Sequence, residues 1–351
     1  MRATLTEQQR LIVESAERMV ADGLSSAQKL LQGGSWPAEP DNVLLSDWSG
    51  LGIPESKGGN GGGLLDLALV IKTLAGALAP NRFTSHVTAM QVADTAGLSL
   101  GDALHGTERW CLATSEPDTD PHGPFRCRMN NGMLAGRKTG VPDGYTADAA
   151  VVILADDEVA VAEPSGRHRL TPTNLLNDAA DLDFDDVKPK QFGTGAALGL
   201  LRATGLIAAD LCGVARGAVD LGAKYAQDRV QFGKPIGAFQ GVAHQLADAL
   251  VAAETAWSLT LYACWALDNA TPDAVKAIHA AKARASEAAI FSAERALHVH
   301  GGMGMTWEAA PHLYLRRALA ASAWLGGPHW HRRRVGTALL EQHRNKNYSR
   351  D

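Results

Sequence analysis

The chain has 351 residues, 46% of them hydrophobic and 20% charged, with a formal net charge of −5. That length exceeds one small core and suits two or three packed regions, and the acidic balance excludes a general electrostatic draw to nucleic acid. A low aromatic share of 6% beside abundant Ala favours helix.

The N-terminus "MRATLTEQQRLIVESAERMV" is charged and amphipathic and lacks the apolar stretch of a signal peptide. No apolar run reads as long enough for a membrane span, so a cytoplasmic chain without membrane contact is expected. The four cysteines, Cys111, Cys127, Cys212 and Cys264, are far apart and have no metal-ligand spacing. They read as reduced thiols, and no metal site is expected.

From residue 1 to 106 the pattern is helical. "LTEQQRLIVESAERMVAD" places apolar residues at helical spacing behind Thr6, an N-cap residue type. "LLDLALVIKTLAGALAP" and "SHVTAMQVADTAG" continue it after the Gly-rich turn "PESKGGNGGG", which no clear strand precedes and which is irregular for a phosphate loop. From 107 to 190, "RWCLAT", "DAAVVILAD", "EVAVAEP" and "DLDFDDV" are short β-prone runs bounded by Gly, Pro and Asp, and they predict a small, mainly antiparallel β domain.

From 191 to 351 long Ala-rich helical stretches return, enough for a four-helix bundle. The fold class is α+β, mainly α. The basic run "HWHRRRVG" near the end reads as a phosphate contact or as a solvated helix face.

Between two of the bundle helices lies "DRVQFGKPIGAFQ". A plain interhelical turn needs its Gly and Pro, but not Arg229, Gln231 and Phe232 at that spacing. "YAQDRVQFGKPIGAFQGVAHQLAD" resembles the R-x-Q-F-G…F-Q…L-A-D segment of the acyl-CoA dehydrogenases. "ALHVHGGMGMTWE" is similar to their Q-x-x-G-G-x-G motif, "LGIPESKGGNGG" to P-E-x-x-G-G-x-G, and "LATSEP" to L-T-E-P. "DFDDVKP" resembles the strand that closes their β domain, so the likeness covers nearly the whole chain in order.

This resemblance implies an N-terminal helical domain, a central β domain and a C-terminal four-helix bundle, assembled as a tetramer. It also implies that Arg229, Gln231 and Phe232, with Gln240 as a further candidate, contact the pyrophosphate and adenine end of an FAD held mostly by a neighbouring subunit. A guanidinium offers several donors to a diphosphate, and a Phe can cover an adenine. The alternative is an interhelical turn with a surface Arg. The second motif carries over to His298, Gly301 and Gly302, where glycines let backbone N–H groups come close to a ligand. His298 stands where the family has Gln, and its other reading is a packing or capping residue.

The departures are as informative. The family's reaction removes the α-proton of an acyl-CoA thioester with a Glu while a hydride passes to the flavin, and loss of such a base costs roughly 10²–10⁴ in rate. The usual Glu position reads Leu325 in "AWLGGP", and the alternative seat on the first bundle helix reads Ala203. Asp210, on that helix, is the nearest other acid; it could be poised by burial or paired with Arg216 or Lys224. Glu308 is a weaker candidate. Gly140, Val141 and Pro142 replace the family's W-[IS]-[TS] flavin platform, "DTDPHG" replaces G-S-D, and Lys72 and Thr73 replace a Glu pair. Ser115 offers a hydroxyl where the family has Thr, or caps a turn.

The expectation is a half-site subunit of a heteromeric acyl-CoA dehydrogenase, with an FAD shared with a homologous partner that supplies the base, in an α2β2 assembly. It would also meet an acyl-CoA substrate and an electron-transfer acceptor. The "TWE…HLYLRRA" stretch resembles short actinobacterial chains of this kind, whose substrates include steroid side-chain CoA thioesters. The competing expectations are a self-sufficient dehydrogenase with Asp210 as relocated base, and a non-enzymatic scaffold of the same fold.

Overall fold

Helix α1 (Glu7–Met19) starts where a reciprocal cap can form: Gln9 N–H donates to the Thr6 hydroxyl and the Gln9 side chain accepts from Thr6 N–H. The computed structural model describes residues 4–21, 27, 29, 33, 44–120 and 123–348. Pro121 and His122 of "DTDPHG" lie outside them. α2 (Leu64–Gly76) and α3 (Arg82–Thr95) follow in the N-terminal region.

Two four-stranded sheets follow. One has the order β1 (Trp110–Ala113), β4 (Ala149–Ile153), β5 (Glu158–Ala162), β8 (Gln191–Thr194). The other has the order β2 (Arg128–Asn130), β3 (Met133–Pro142), β7 (Ala179–Val187), β6 (Gly166–Arg169). Pairing is antiparallel except for β1 beside β4, which is parallel. β8 carries the sheets past residue 190, where the β region was expected to end.

Alternation explains why the first sheet reads as continuous apolar runs. Trp110, Leu112, Val151 and Val161 face a core shared with the helices, whereas Cys111, Ala113, Val152 and Ala160 face a core shared with the second sheet. A strand buried on both faces has no polar side to show.

The bundle is α4 (Ala196–Asp228), α5 (Gln240–Asp268), α6 (Ala274–His300) and α7 (Pro311–Ala323), with α8 (Pro328–Tyr348) lying along α6. At 33 residues α4 spans about 50 Å. By length and hydropathy α4 and α5 are both apolar enough to cross a membrane, which corrects the expectation that no run reaches that length. Most of that apolar stretch of α4 is buried inside the bundle. Its small residues let α2 cross in backbone contact: a Cβ on Gly213 would stand 2.2 Å from the Lys72 carbonyl oxygen. All four cysteines are free and buried.

A buried acid joins α3 to the turn after β3. Asp143 accepts from the Ser85 hydroxyl and sits in the left-handed region at φ 55°. Burial pushes its carboxyl up from 3.8 to about 7, against the lowering effect of Ser85; Asp178 raises it further and Arg82 lowers it. Between those values the folded chain holds a proton that the unfolded chain has lost, so stability falls as pH rises from about 4 to about 7. Asp143→Asn is expected to flatten that slope. Melting temperatures across the window check it, and an unchanged slope would remove Asp143 as its source.

Candidate functional site

α4 ends at Asp228, and the chain turns at once into a small hairpin of β9 (Val230–Gln231) and β10 (Lys234–Pro235). The two residues between the strands, Phe232 and Gly233, have φ of 52° and 78°, as a two-residue hairpin with a primed turn requires. Ile236 N–H donates to the Arg229 carbonyl at 2.8 Å and closes the base.

The Phe232 ring is 92% exposed, touching only the edge of Phe239 among aromatic neighbours, at 6.1 Å. Among the described residues the Arg229 side chain has no hydrogen-bond or ion-pair partner, and the Gln231 amide donates only to the adjacent Val230 carbonyl. Gln240 is exposed at the start of α5.

The second set lies at the end of α6. His298 is exposed on its last turn, and its carbonyl accepts from Gly301 N–H. Gly301, at φ 60°, and Gly302 are exposed, and a Cβ on either would meet nothing within 4 Å. Tyr225, one turn before Arg229, stacks on His300, immediately before Gly301, at 4.1 Å between ring centres. The two sets therefore stand side by side at one end of the bundle. Met303, Met305 and Trp307 beside them are 54%, 76% and 58% exposed.

The seats for a base are closed. Ala203 and Leu325 are both buried in the core that contains Trp324. Leu325 adopts φ 58°, and its turn is clamped from two sides. Lys282 Nζ donates to the Ser322 and Gly326 carbonyls at 3.0 and 3.1 Å, and His331 Nε2 donates to the Leu325 carbonyl at 3.1 Å. Because that carbonyl can only accept, the proton sits on His331 Nε2, and in the neutral ring its Nδ1 accepts from His279 Nδ1, 2.9 Å away.

Asp210 is corrected as a relocated base. It is fully buried and both its oxygens are held by Arg317, with Nε at 3.2 Å from Oδ2 and Nη2 on Oδ1. Its partner is Arg317, not Arg216, which pairs with Asp220 and Glu254. A carboxylate sealed in this way cannot reach a substrate proton. Glu308 is exposed in the turn before α7 and lies outside the cavity described below.

The platform positions do not fit a flavin ring held by this chain. Gly140 N–H already donates to Asp181 at 2.8 Å, Val141 is buried, and Pro142 has no N–H to give. Ser115 is exposed, with its carbonyl taken by Thr139 N–H. Lys72 lies 4.7 Å over the Trp257 ring, and burial lowers its pKa. The outward sets do fit: an unpartnered guanidinium, an uncovered ring and two glycines without obstruction suit a flavin's ADP end approaching from outside.

A cavity of about 730 Å³ lies between the end of β4, the starts of α4 and α6, and α8. Leu154, Leu200, Val275 and Trp330 form apolar wall, and His279 presents an imidazole to it. Sequence reading missed this cavity, Lys282 and the Tyr225–His300 stack. Only the stack left a trace, an aromatic one helical turn before Arg229 and a His beside the Gly pair.

The helices, the two sheets and the outward motif residues define an acyl-CoA dehydrogenase-like flavoprotein fold. Residues 195–340 match the acyl-CoA dehydrogenase C-terminal domain. The chain is 32% identical over 293 residues to acyl-CoA dehydrogenase IpdE2 of Mycobacterium tuberculosis, covering 82% of each. It is 33% identical over 366 residues to acyl-CoA dehydrogenase FadE34 of the same organism, covering 97% of this chain and about half (49%) of FadE34. The ChsE4-ChsE5 complex from Mycobacterium tuberculosis is similar at a TM-score of 0.84 and 26% identity, over 97% of this chain and 99% of the matched one. The chain belongs to the acyl-CoA dehydrogenase family, whose members are FAD-dependent oxidoreductases.

Proposed function

We propose that this chain is the half-site subunit of a heteromeric, cytoplasmic acyl-CoA dehydrogenase in a two-plus-two assembly. It completes the ADP end of an FAD whose ring is held by a homologous partner, and the partner supplies the base. One observation carries the reading: the Arg229 side chain faces outward with no hydrogen-bond or ion-pair partner among the described residues and Phe232 stands exposed beside it, while both seats for the base are apolar core. The pairing also fits FadE34, which is about twice as long as its match, and ChsE4-ChsE5, a complex of two chains by name. The "TWE…HLYLRRA" stretch and the likeness to a solved steroid ACAD, at a TM-score of 0.85 and 26% identity, favour a bulky, steroid-derived CoA thioester as substrate, with electrons passing on to an external acceptor.

Bound FAD would supply the hydride-accepting chemistry for dehydrogenation of the thioester, and Arg229, Phe232, Gly301 and Gly302 would hold its ADP end. This chain's part is binding. Arg229 gives several donors to the diphosphate, Phe232 covers the adenine, and Gly301 and Gly302 allow backbone N–H groups to approach closely. His298 adds a polar contact at the same end.

The test is the visible flavin absorbance per chain, for this protein alone and co-purified with a related dehydrogenase chain. Little flavin alone and about one FAD per pair of chains in the mixed complex is the expected result. A yellow homo-oligomer that turns over acyl-CoA unaided would overturn the reading. Flavin content unaffected by Arg229→Ala in an assembled complex would favour a scaffold.

A further inference from the structure

The geometry points to Tyr225 and His300 as positioning residues: their stack is a strut that sets the separation between the hairpin at 229–235 and the turn at 301–305. The link to FAD rests on the half-site reading above.

The two flavin-contact sets belong to different helices, and among the described residues no hydrogen bond joins them. Each follows directly from the end of its own helix, with further contacts to α5 at the hairpin and to α7 at the turn. At the hairpin, Arg229 N–H donates to the Tyr225 carbonyl at 2.9 Å. At the turn, His300 Nδ1 donates to the Ala296 carbonyl at 2.8 Å. The carbonyl fixes the proton on Nδ1, so the ring cannot rotate without breaking that bond. The Tyr225 ring lies over it at 4.1 Å and an interplanar angle of 21°. The Tyr225 hydroxyl reaches the sulfur of Met303, inside the Gly301–Met305 turn, at 4.0 Å.

One turn back, the helices are close enough for this to happen. Gly222 on α4 faces Ala296 on α6, and a Cβ on Gly222 would lie 3.5 Å from the Ala296 Cα and 3.0 Å from Leu246. A Cβ at 222 would crowd Leu246 and lie in ordinary contact with Ala296 beneath the rings. The strut matters because the sets are otherwise exposed, and a displacement of about 1 Å in a positioning element can cost as much as roughly a hundredfold in function.

Two measurements test it. In the isolated chain, Tyr225→Ala is expected to speed amide hydrogen exchange in both 229–235 and 301–305 by about two- to tenfold, the factor an aromatic pair carries. Tyr225→Phe, which keeps the ring pair and the His300 hydrogen bond, should exchange like wild type. In the deflavinated mixed complex, FAD titration of Tyr225→Ala should show binding weaker by about the same factor. In a double-variant cycle, the effect should shrink once Arg229 is already Ala.

Exchange that is unchanged, or that rises in one element only, would overturn the strut. Faster exchange in both elements with unaltered FAD affinity would overturn its role in flavin binding. A wild-type complex that binds no FAD would sink the half-site reading and the flavin clause with it, while the exchange arm still decides the strut.

Discussion

Arg317→Ala is expected to lower the unfolding free energy by about 3–5 kcal/mol, the usual cost of removing one partner from a buried ion pair. Arg317 and Asp210 are both fully buried, on α7 and α4. Arg317 also donates to the Ala79 carbonyl, just past α2. Truncation would strand a carboxylate and a carbonyl oxygen in a dry core. Lys282, another buried cation that senses Asp210, is held on the Ser322 and Gly326 carbonyls.

Replacing both partners by apolar residues, Asp210→Leu with Arg317→Met, should recover most of the loss, since it also removes the stranded charge. Denaturant titration of the single and double variants measures this. A single-variant loss below about 1 kcal/mol would mean that water or another cation reaches Asp210, and would reopen it as a titrating acid.

Arg229→Ala should do the opposite kind of damage. Its side chain is exposed and holds no hydrogen-bond or ion-pair partner among the described residues, so stability should stay within about 0.5 kcal/mol of wild type. In the mixed complex, losing a hydrogen bond to a charged phosphate should weaken FAD by roughly ten- to a hundredfold. Arg229→Lys should recover only part, because a point charge cannot offer the planar fork of a guanidinium. Flavin fluorescence on titration reads both variants against wild type. Equal FAD affinity in Arg229→Ala and wild type would place the diphosphate elsewhere.

Sequence showed most of the fold because its signals are local. The Thr6 cap, the helical spacing of the bundle and the short β-prone runs each depend on near neighbours. The outward motif was legible for the same reason: Arg229, Gln231 and Phe232 fall within four residues.

What stayed hidden depends on distance along the chain. Asp210 and Arg317 are 107 residues apart, and the alternatives considered for Asp210 were neighbours on its own helix. The direction of Leu325 follows from a left-handed backbone fixed by His331 and Lys282, which no spacing rule reports. Nor does an apolar run say whether it meets lipid or protein; α4 passes for a membrane span until its packing is known.

The sheet containing β1 and β4 has one further consequence. Its Trp110, Leu112 and Val151 belong to the same core as Ala203 and Ala285 of the bundle. No cleavage point between the sheets and the bundle would leave either half with a wetted surface along that seam. Excised from residue 195 onward, the bundle would carry a raw apolar flank and tend to self-associate. The matched C-terminal segment is thus a unit of ancestry more than of folding, and the intact chain should melt in a single cooperative step.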